Sequence, residues 1–110
     1  MRTFLILTVT FLVLLSTPAS ANARFGKRFY MKNLAQECRR DGIEDGASFA
    51  KRYTQDEWDS LKEQNRLQKE WIDICPSASE KIKKMKRRDI KNLFDFVWKY
   101  AKDGEIPSCN

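Results

Sequence analysis

Apolar residues recur along 24–110 with helical spacing and nowhere with the alternation of a half-buried strand. Tyr30, Met31, Leu34, Ala35 and Cys38 fall at i, i+1, i+4, i+5 and i+8, with Lys32, Glu37, Arg39 and Arg40 largely off that stripe. The spacing predicts a helix over 27–40 that Gly42 stops, because glycine takes the left-handed conformation after a last turn. A turn-rich loop follows over 41–46, then a short helical turn near 47–51 that tucks Phe49 inward. Thr54-Gln-Asp-Glu57 has the pattern of a capping box, in which hydroxyl and carboxylate each satisfy the other residue's amide. The helix it opens carries Trp58 and Leu61. Near Asn65 the stripe changes phase, and Leu67, Trp71, Ile74 and Cys75 form a new one that ends before Pro76. Ser77-Ala-Ser-Glu80 has the pattern of a second box, opening a short basic helix with Ile82 and Met85. Ile90, Leu93, Phe94, Val97, Trp98 and Ala101 mark the last and clearest helix, with Asp89 placed to cap it and Asp103-Gly104 to end it. The expected fold is all-α: one small domain of about four to five helices.

The first 23 residues have a different pattern. Arg2, the apolar run over 4–15 and the small-x-small triplet Ala21-Asn22-Ala23 read as an export signal cut after Ala23. The run is too short to span a bilayer as a helix, which takes about 20 residues. Nothing after Ala23 is apolar enough to do so. The expected organisation is therefore a signal peptide over 1–23 and an exported domain over 24–110. That domain keeps 20 of the 21 Lys and Arg and all 15 Asp and Glu, a net charge of about +5. A domain so small buries only about 60–65% of its unfolded surface, and export makes a disulfide a plausible staple. Three cysteines allow one bridge. Cys75 with Cys109 is the expected pair, Cys38 with Cys109 the alternative. Cys38, on the apolar stripe, is then a buried small hydrophobe or a free or partner-linked thiol.

The chain has no histidine, which removes Ser–His and Cys–His nucleophile pairs and His-ligated zinc or haem. Scattered Asp and Glu single out no pair for acid–base hydrolysis. A calcium loop at 41–46 fails, since Ile43 and Arg52 stand where oxygen ligands belong. The expectation is no enzyme. The densest chemistry is basic: Lys83, Lys84, Arg87, Arg88 and Lys91, with Lys81 and Lys86 beside them. On one helix Lys83, Arg87 and Lys91 would stack at i, i+4 and i+8, with Lys84 and Arg88 alongside. Such a face attracts acidic proteins, polyanions or anionic head groups. Nucleic acid is not expected, because export removes it and no aromatic platform interleaves with the charge.

The segment from Gly26 to Gly42 resembles the opening of a small class I cytochrome c, matching at Gly26, Lys27, Tyr30, Asp41 and Gly42. Leu34, Glu37 and Cys38 stand where the C-x-x-C-H haem box of that family has Cys, Cys and His. Phe49 to Trp58, Ile74-Cys-Pro76, Leu93 to Ala101 and Ile106 to Cys109 resemble small periplasmic proteins of Campylobacter-like and Helicobacter-like bacteria, often described as cytochrome c. The resemblance implies a cytochrome-c-like helical fold and a periplasmic location. It does not carry electron transfer, since the haem attachments are missing, and no cofactor is expected. Protein must then fill the space a haem would take, and Phe49, Trp58, Trp71, Phe94 and Trp98 are large enough.

These readings converge on a non-catalytic periplasmic binding or structural protein, an adaptor or subunit of an envelope-associated assembly such as a motility or secretion machine. Its partners would be other periplasmic or envelope proteins with acidic surfaces. A redox protein of the cytochrome c type, using haem or the Cys38 thiol, is the alternative.

Overall fold

The computed structural model describes residues 19–106. The apolar run, the basic Arg2 and Cys109 lie outside them. Within the described residues every regular element is helical, with no strand. A long rod comes first: α1 (Ala19–Phe29), one π-helical turn (Tyr30–Leu34) and α2 (Ala35–Arg40). Then come α3 (Gly46–Ala50), α4 (Gln55–Glu63), α5 (Leu67–Ile74), a 3-10 turn (Pro76–Ala78), α6 (Ser79–Lys83) and α7 (Arg87–Lys99). The rod therefore starts upstream of the expected position 27, and the proposed cleavage triplet lies inside α1.

Local signals explain most boundaries. Gly42 takes φ 92°, the left-handed conformation its position needs. Asp45 caps α3 by accepting from the Ser48 amide at 2.9 Å. The Thr54 box forms in both directions, Glu57 N–H to Thr54 Oγ1 at 3.2 Å and Thr54 N–H to Glu57 Oε1 at 2.9 Å. Asn65, at φ 61°, breaks the chain between α4 and α5 where the stripe changes phase.

Two expected caps do not form. Ser77 caps nothing; its amide and hydroxyl both donate to the Asp41 carboxylate at 2.8 Å, and Ala78 stands at the head of α6. Asp89 sits inside the first turn of α7, whose N-cap is Lys86. In both places a competing position won: the bend after Pro76 turned Ser77 toward α2, and the break at 84–86 set the start of α7 ahead of Asp89. The basic stack over 83–91 is divided by the same break. Lys83 ends α6, Arg87 opens α7, and only Arg87, Arg88 and Lys91 share a helix. One continuous helix would have set Lys83 against Arg87, Lys84 against Arg88 and Arg87 against Lys91, three like-charged i,i+4 pairs.

The core is aromatic. Phe49, Trp58 and Trp71 are fully buried, Tyr30 and Phe96 nearly so, and the Tyr30 and Phe49 rings lie 4.9 Å apart. Trp58 donates its indole N–H to the Ala50 carbonyl at 2.9 Å. Trp98, expected inside, is only half-buried and donates to Asp59 at 3.2 Å. Phe96, which the stripe omitted, takes its place in the core. α1 lies along α7 and approaches it tightly at Gly26. A methyl there would collide with the Asn92 carbonyl and press on Phe96 Cβ at 2.9 Å. Only glycine lets the helices approach so far.

The cysteine pairing corrects the expectation. Cys38 is bonded to Cys75, with Cα atoms 5.0 Å apart and a sequence separation of 37. Cys75 is therefore not available to Cys109, and Cys38 is not a free or partner-linked thiol. Both sulfurs are fully buried. The stripe residue Cys38 faces the core, as a small hydrophobe would, and the end of α5 faces it. The third cysteine, Cys109, lies outside the described residues. Closing a loop of this size stabilises a domain by about 3–4 kcal/mol on the chain-entropy estimate.

Candidate binding grooves

Two grooves flank α7, and neither is assembled from a single stretch of sequence. The first is cationic. α4 and the Asn65 turn supply Lys62 and Asn65, α5 supplies Leu67 and Gln68, and α7 supplies Arg87, Ile90, Lys91 and Phe94 around about 370 Å³. Its floor is apolar, since Leu67 and Phe94 are buried and Ile90 packs against the core. Its rim carries three cations and no carboxylate. The Lys62 ammonium lies 4.6 Å from the Phe94 ring centroid, a cation–π contact that parks the charge at the groove edge. Among the described residues the ion pairs are Lys69–Asp73, Lys81–Glu37, Lys83–Glu80 and Lys99–Glu105. Lys62, Lys84, Arg87, Arg88 and Lys91 are in none of them, and all five are exposed. Of the expected basic face, Arg87 and Lys91 line the groove, Lys84 and Arg88 are exposed near it in sequence, and Lys83 is diverted to Glu80. Lys62 is the member that sequence reasoning missed, because it comes from α4, 25 residues away.

The second groove has mixed charge, and the π turn builds it. Ala35 donates to the Tyr30 carbonyl, an i→i+5 bond that admits one extra residue. Asn33 accompanies the change: its side-chain amide takes the Phe29 carbonyl at 3.1 Å. Short polar side chains compete with the backbone in this way. The extra residue has a geometric effect. At 3.6 residues per turn, residues 27 and 39 would lie about 120° apart around the helix, and one inserted residue cuts this to about 20°. Lys27, Met31, Ala35 and Arg39 thus line one wall. Glu44 and Asp45 with Gly46 form the opposite lip, and Phe96 of α7 and Tyr100 just beyond it close the side, around about 470 Å³. Met31 and Ala35, expected on the buried stripe, face this groove, and Met31 is 63% exposed.

Tyr30 stands at the back. Its ring is buried against Phe49 and Phe96, and its hydroxyl has no hydrogen-bond partner. Burial pushes its pKa up to about 12, with the Asp45 carboxylate adding and Arg39 opposing. Tyr53 is the counterpart: its hydroxyl donates to Glu70 at 2.7 Å, and that bond, with burial, also lifts it to about 12. The Ser48 amide holds the Asp45 carboxyl below its ordinary value, so the lip of the groove is anionic at neutral pH.

Leu34 is a buried hydrocarbon and Cys38 is oxidised, so the positions that resemble the haem box offer neither thioether nor axial ligand. The described residues hold no cluster of three or more His, Cys, Asp or Glu suited to a metal ion, and no helix long and apolar enough to cross a membrane. No known protein family, curated protein or solved structure matches the chain.

Proposed function

We propose that the protein is a non-catalytic periplasmic binding protein, an adaptor or subunit of an envelope-associated assembly, which meets an acidic partner through the cationic groove. The observation that carries this reading is the concentration of exposed, unpaired cations around an apolar floor. Cations without intramolecular partners keep their field for another molecule and steer its approach. The floor then rewards an apolar side chain brought by that molecule. A protein suits the surface better than a bilayer does, because the exposed large hydrophobics Phe25, Met31 and Ile106 do not line this groove. Here the apolar surface is recessed, so the anchor must come from the partner. The export signal and the Cys38–Cys75 bond support an oxidising compartment, and the resemblance to small periplasmic proteins supports the periplasm.

The test is site-specific photo-crosslinking in the native host, with the probe at Arg88 beside the groove. A discrete adduct to an acidic envelope protein is expected. The Arg87→Glu/Lys91→Glu double variant should abolish it while keeping the same melting temperature. Recovery of monomer alone, or an adduct indifferent to the charge reversal, rejects the reading.

A further inference from the structure

The mixed-charge groove lies apart from the face just assigned to a protein partner, and its chemistry differs. Its charges face each other across the opening: Lys27 and Arg39 stand on the rod wall, Glu44 and Asp45 on the lip opposite. Lys99, paired with Glu105, adjoins Lys27 at one corner with Tyr100. None of Lys27, Arg39, Glu44 and Asp45 belongs to an ion pair among the described residues. Between these charges, Met31 and Ala35 face the rings of Phe96 and Tyr100, whose centroids are 5.6 Å apart. The Tyr30 hydroxyl, buried and unpartnered, lies within the influence of Asp45 and Arg39. An unmade hydrogen bond opposes folding, which makes this an unusual group to leave behind a groove wall.

Length narrows the ligand. Lys27 and Arg39 are about 16 Å apart along the rod, from a rise of 1.5 Å per residue. An extended peptide advances about 3.3 Å per residue, so four or five residues fill that span. A volume of about 470 Å³ is in the range of small-ligand sites, too small for a folded partner. We propose that this groove binds short zwitterionic peptides, with the N-terminal ammonium at Glu44 and Asp45, the C-terminal carboxylate at Lys27, and an apolar side chain between Met31 and the Phe96 and Tyr100 rings.

The experiment titrates the exported, disulfide-intact protein with the tetrapeptides Ala-Phe-Ala-Ala, Ala-Leu-Ala-Ala and Ala-Ala-Ala-Ala. Each is also used in its N-acetylated, C-amidated form. Backbone amide shifts are followed by NMR and affinity by calorimetry. The uncapped Phe and Leu peptides should shift Met31, Ala35, Gly46 and Ala47, and capping both ends should weaken binding at least tenfold. Glu44→Gln should lower the affinity of the uncapped peptide and leave the capped one unchanged. Met31→Glu, at an exposed position, should abolish binding with an unaltered circular dichroism spectrum. Equal binding of capped and uncapped peptides overturns the proposal. So do shifts gathered at Lys62, Arg87 and Lys91, which would mean anion capture by the other groove. Absence of shifts with all three peptides up to about 10 mM, a Kd that corresponds to less than about 3 kcal/mol, also overturns it.

Discussion

The two grooves share α7 yet sit on opposite faces of it, since Phe94 and Phe96 point about 200° apart around a helix. One is lined by cations alone and the other by both signs. The difference lies in how their charges were brought together. Arg87 and Lys91 are neighbours in sequence, on one turn of one helix, so their charge is concentrated before the chain folds. Lys27, Arg39, Glu44 and Asp45 meet only because a π turn rotates one wall into line and the 41–46 loop reverses the chain. A concentrated single sign suits long-range steering of a large partner, whereas separated opposite signs suit the two ends of one small molecule. The same net charge of the chain thus supports two unlike surfaces.

The widest perturbation comes from the disulfide, which joins α2 of the mixed-charge wall to the end of α5, the helix whose first residues line the cationic floor. Cys38→Ala/Cys75→Ala should lower stability by about 3–4 kcal/mol, measured by urea unfolding, and loosen both grooves together. Loosening confined to one would mean that the halves are less coupled than the core contacts imply. Gly26→Ala separates them. It pushes α1 off Asn92 and Phe96 and should cost about 1–3 kcal/mol, with amide shifts along the mixed-charge groove and few near Lys62 and Leu67.

Of the two grooves, acid acts on the mixed-charge one, since no carboxylate lines the other. Asp45 titrates below its ordinary value because Ser48 donates to its carboxylate. Its contribution is therefore present above the unfolded value near pH 3.9 and is lost as pH falls through the lower folded value. Asp45→Ala should remove that acid-sensitive step and cost about 1 kcal/mol, the usual worth of an N-cap. The smallest effects set two tyrosines against each other. Tyr53→Phe breaks a hydrogen bond to Glu70 and should cost about 1 kcal/mol, whereas Tyr30→Phe removes a hydroxyl that bonds to nothing and should be neutral or slightly stabilising. Both phenols are raised, so the folded state keeps its full stability below about pH 10 and loses part of it as pH climbs through about 12. Thermal melts of the two variants across that window check the signs.

How much of this could be read from the chain alone follows the same division. Elements set by near neighbours were legible: the Thr54 box, the Gly42 stop, the break at Asn65, buried Phe49 and the all-α character. Features set by distant competition were not. Ser77 had a good capping pattern but found Asp41, 36 residues away, and Cys75 found Cys38 instead of Cys109. The π turn is the instructive failure. A stripe drawn with strict 3.6-residue spacing puts Met31 and Ala35 inside with Tyr30 and Cys38, and one extra residue turns them to the surface. Asn33 was the available signal, a short amide in mid-helix with a carbonyl to claim. Arg87 and Lys91 were legible as a patch, but the groove needed Lys62, which no local pattern links to them.

The Asp41–Ser77 contact has a further bearing on how the domain acquires its covalent bond. The two hydrogen bonds, with Lys81 reaching Glu37 at 2.8 Å, clip the end of α2 to the residues after Cys75 without help from sulfur. With the bond reduced, these clips keep the two thiols in the same neighbourhood, at the high effective concentration of tethered groups. Oxidation then seals a proximity that polar chemistry has already arranged.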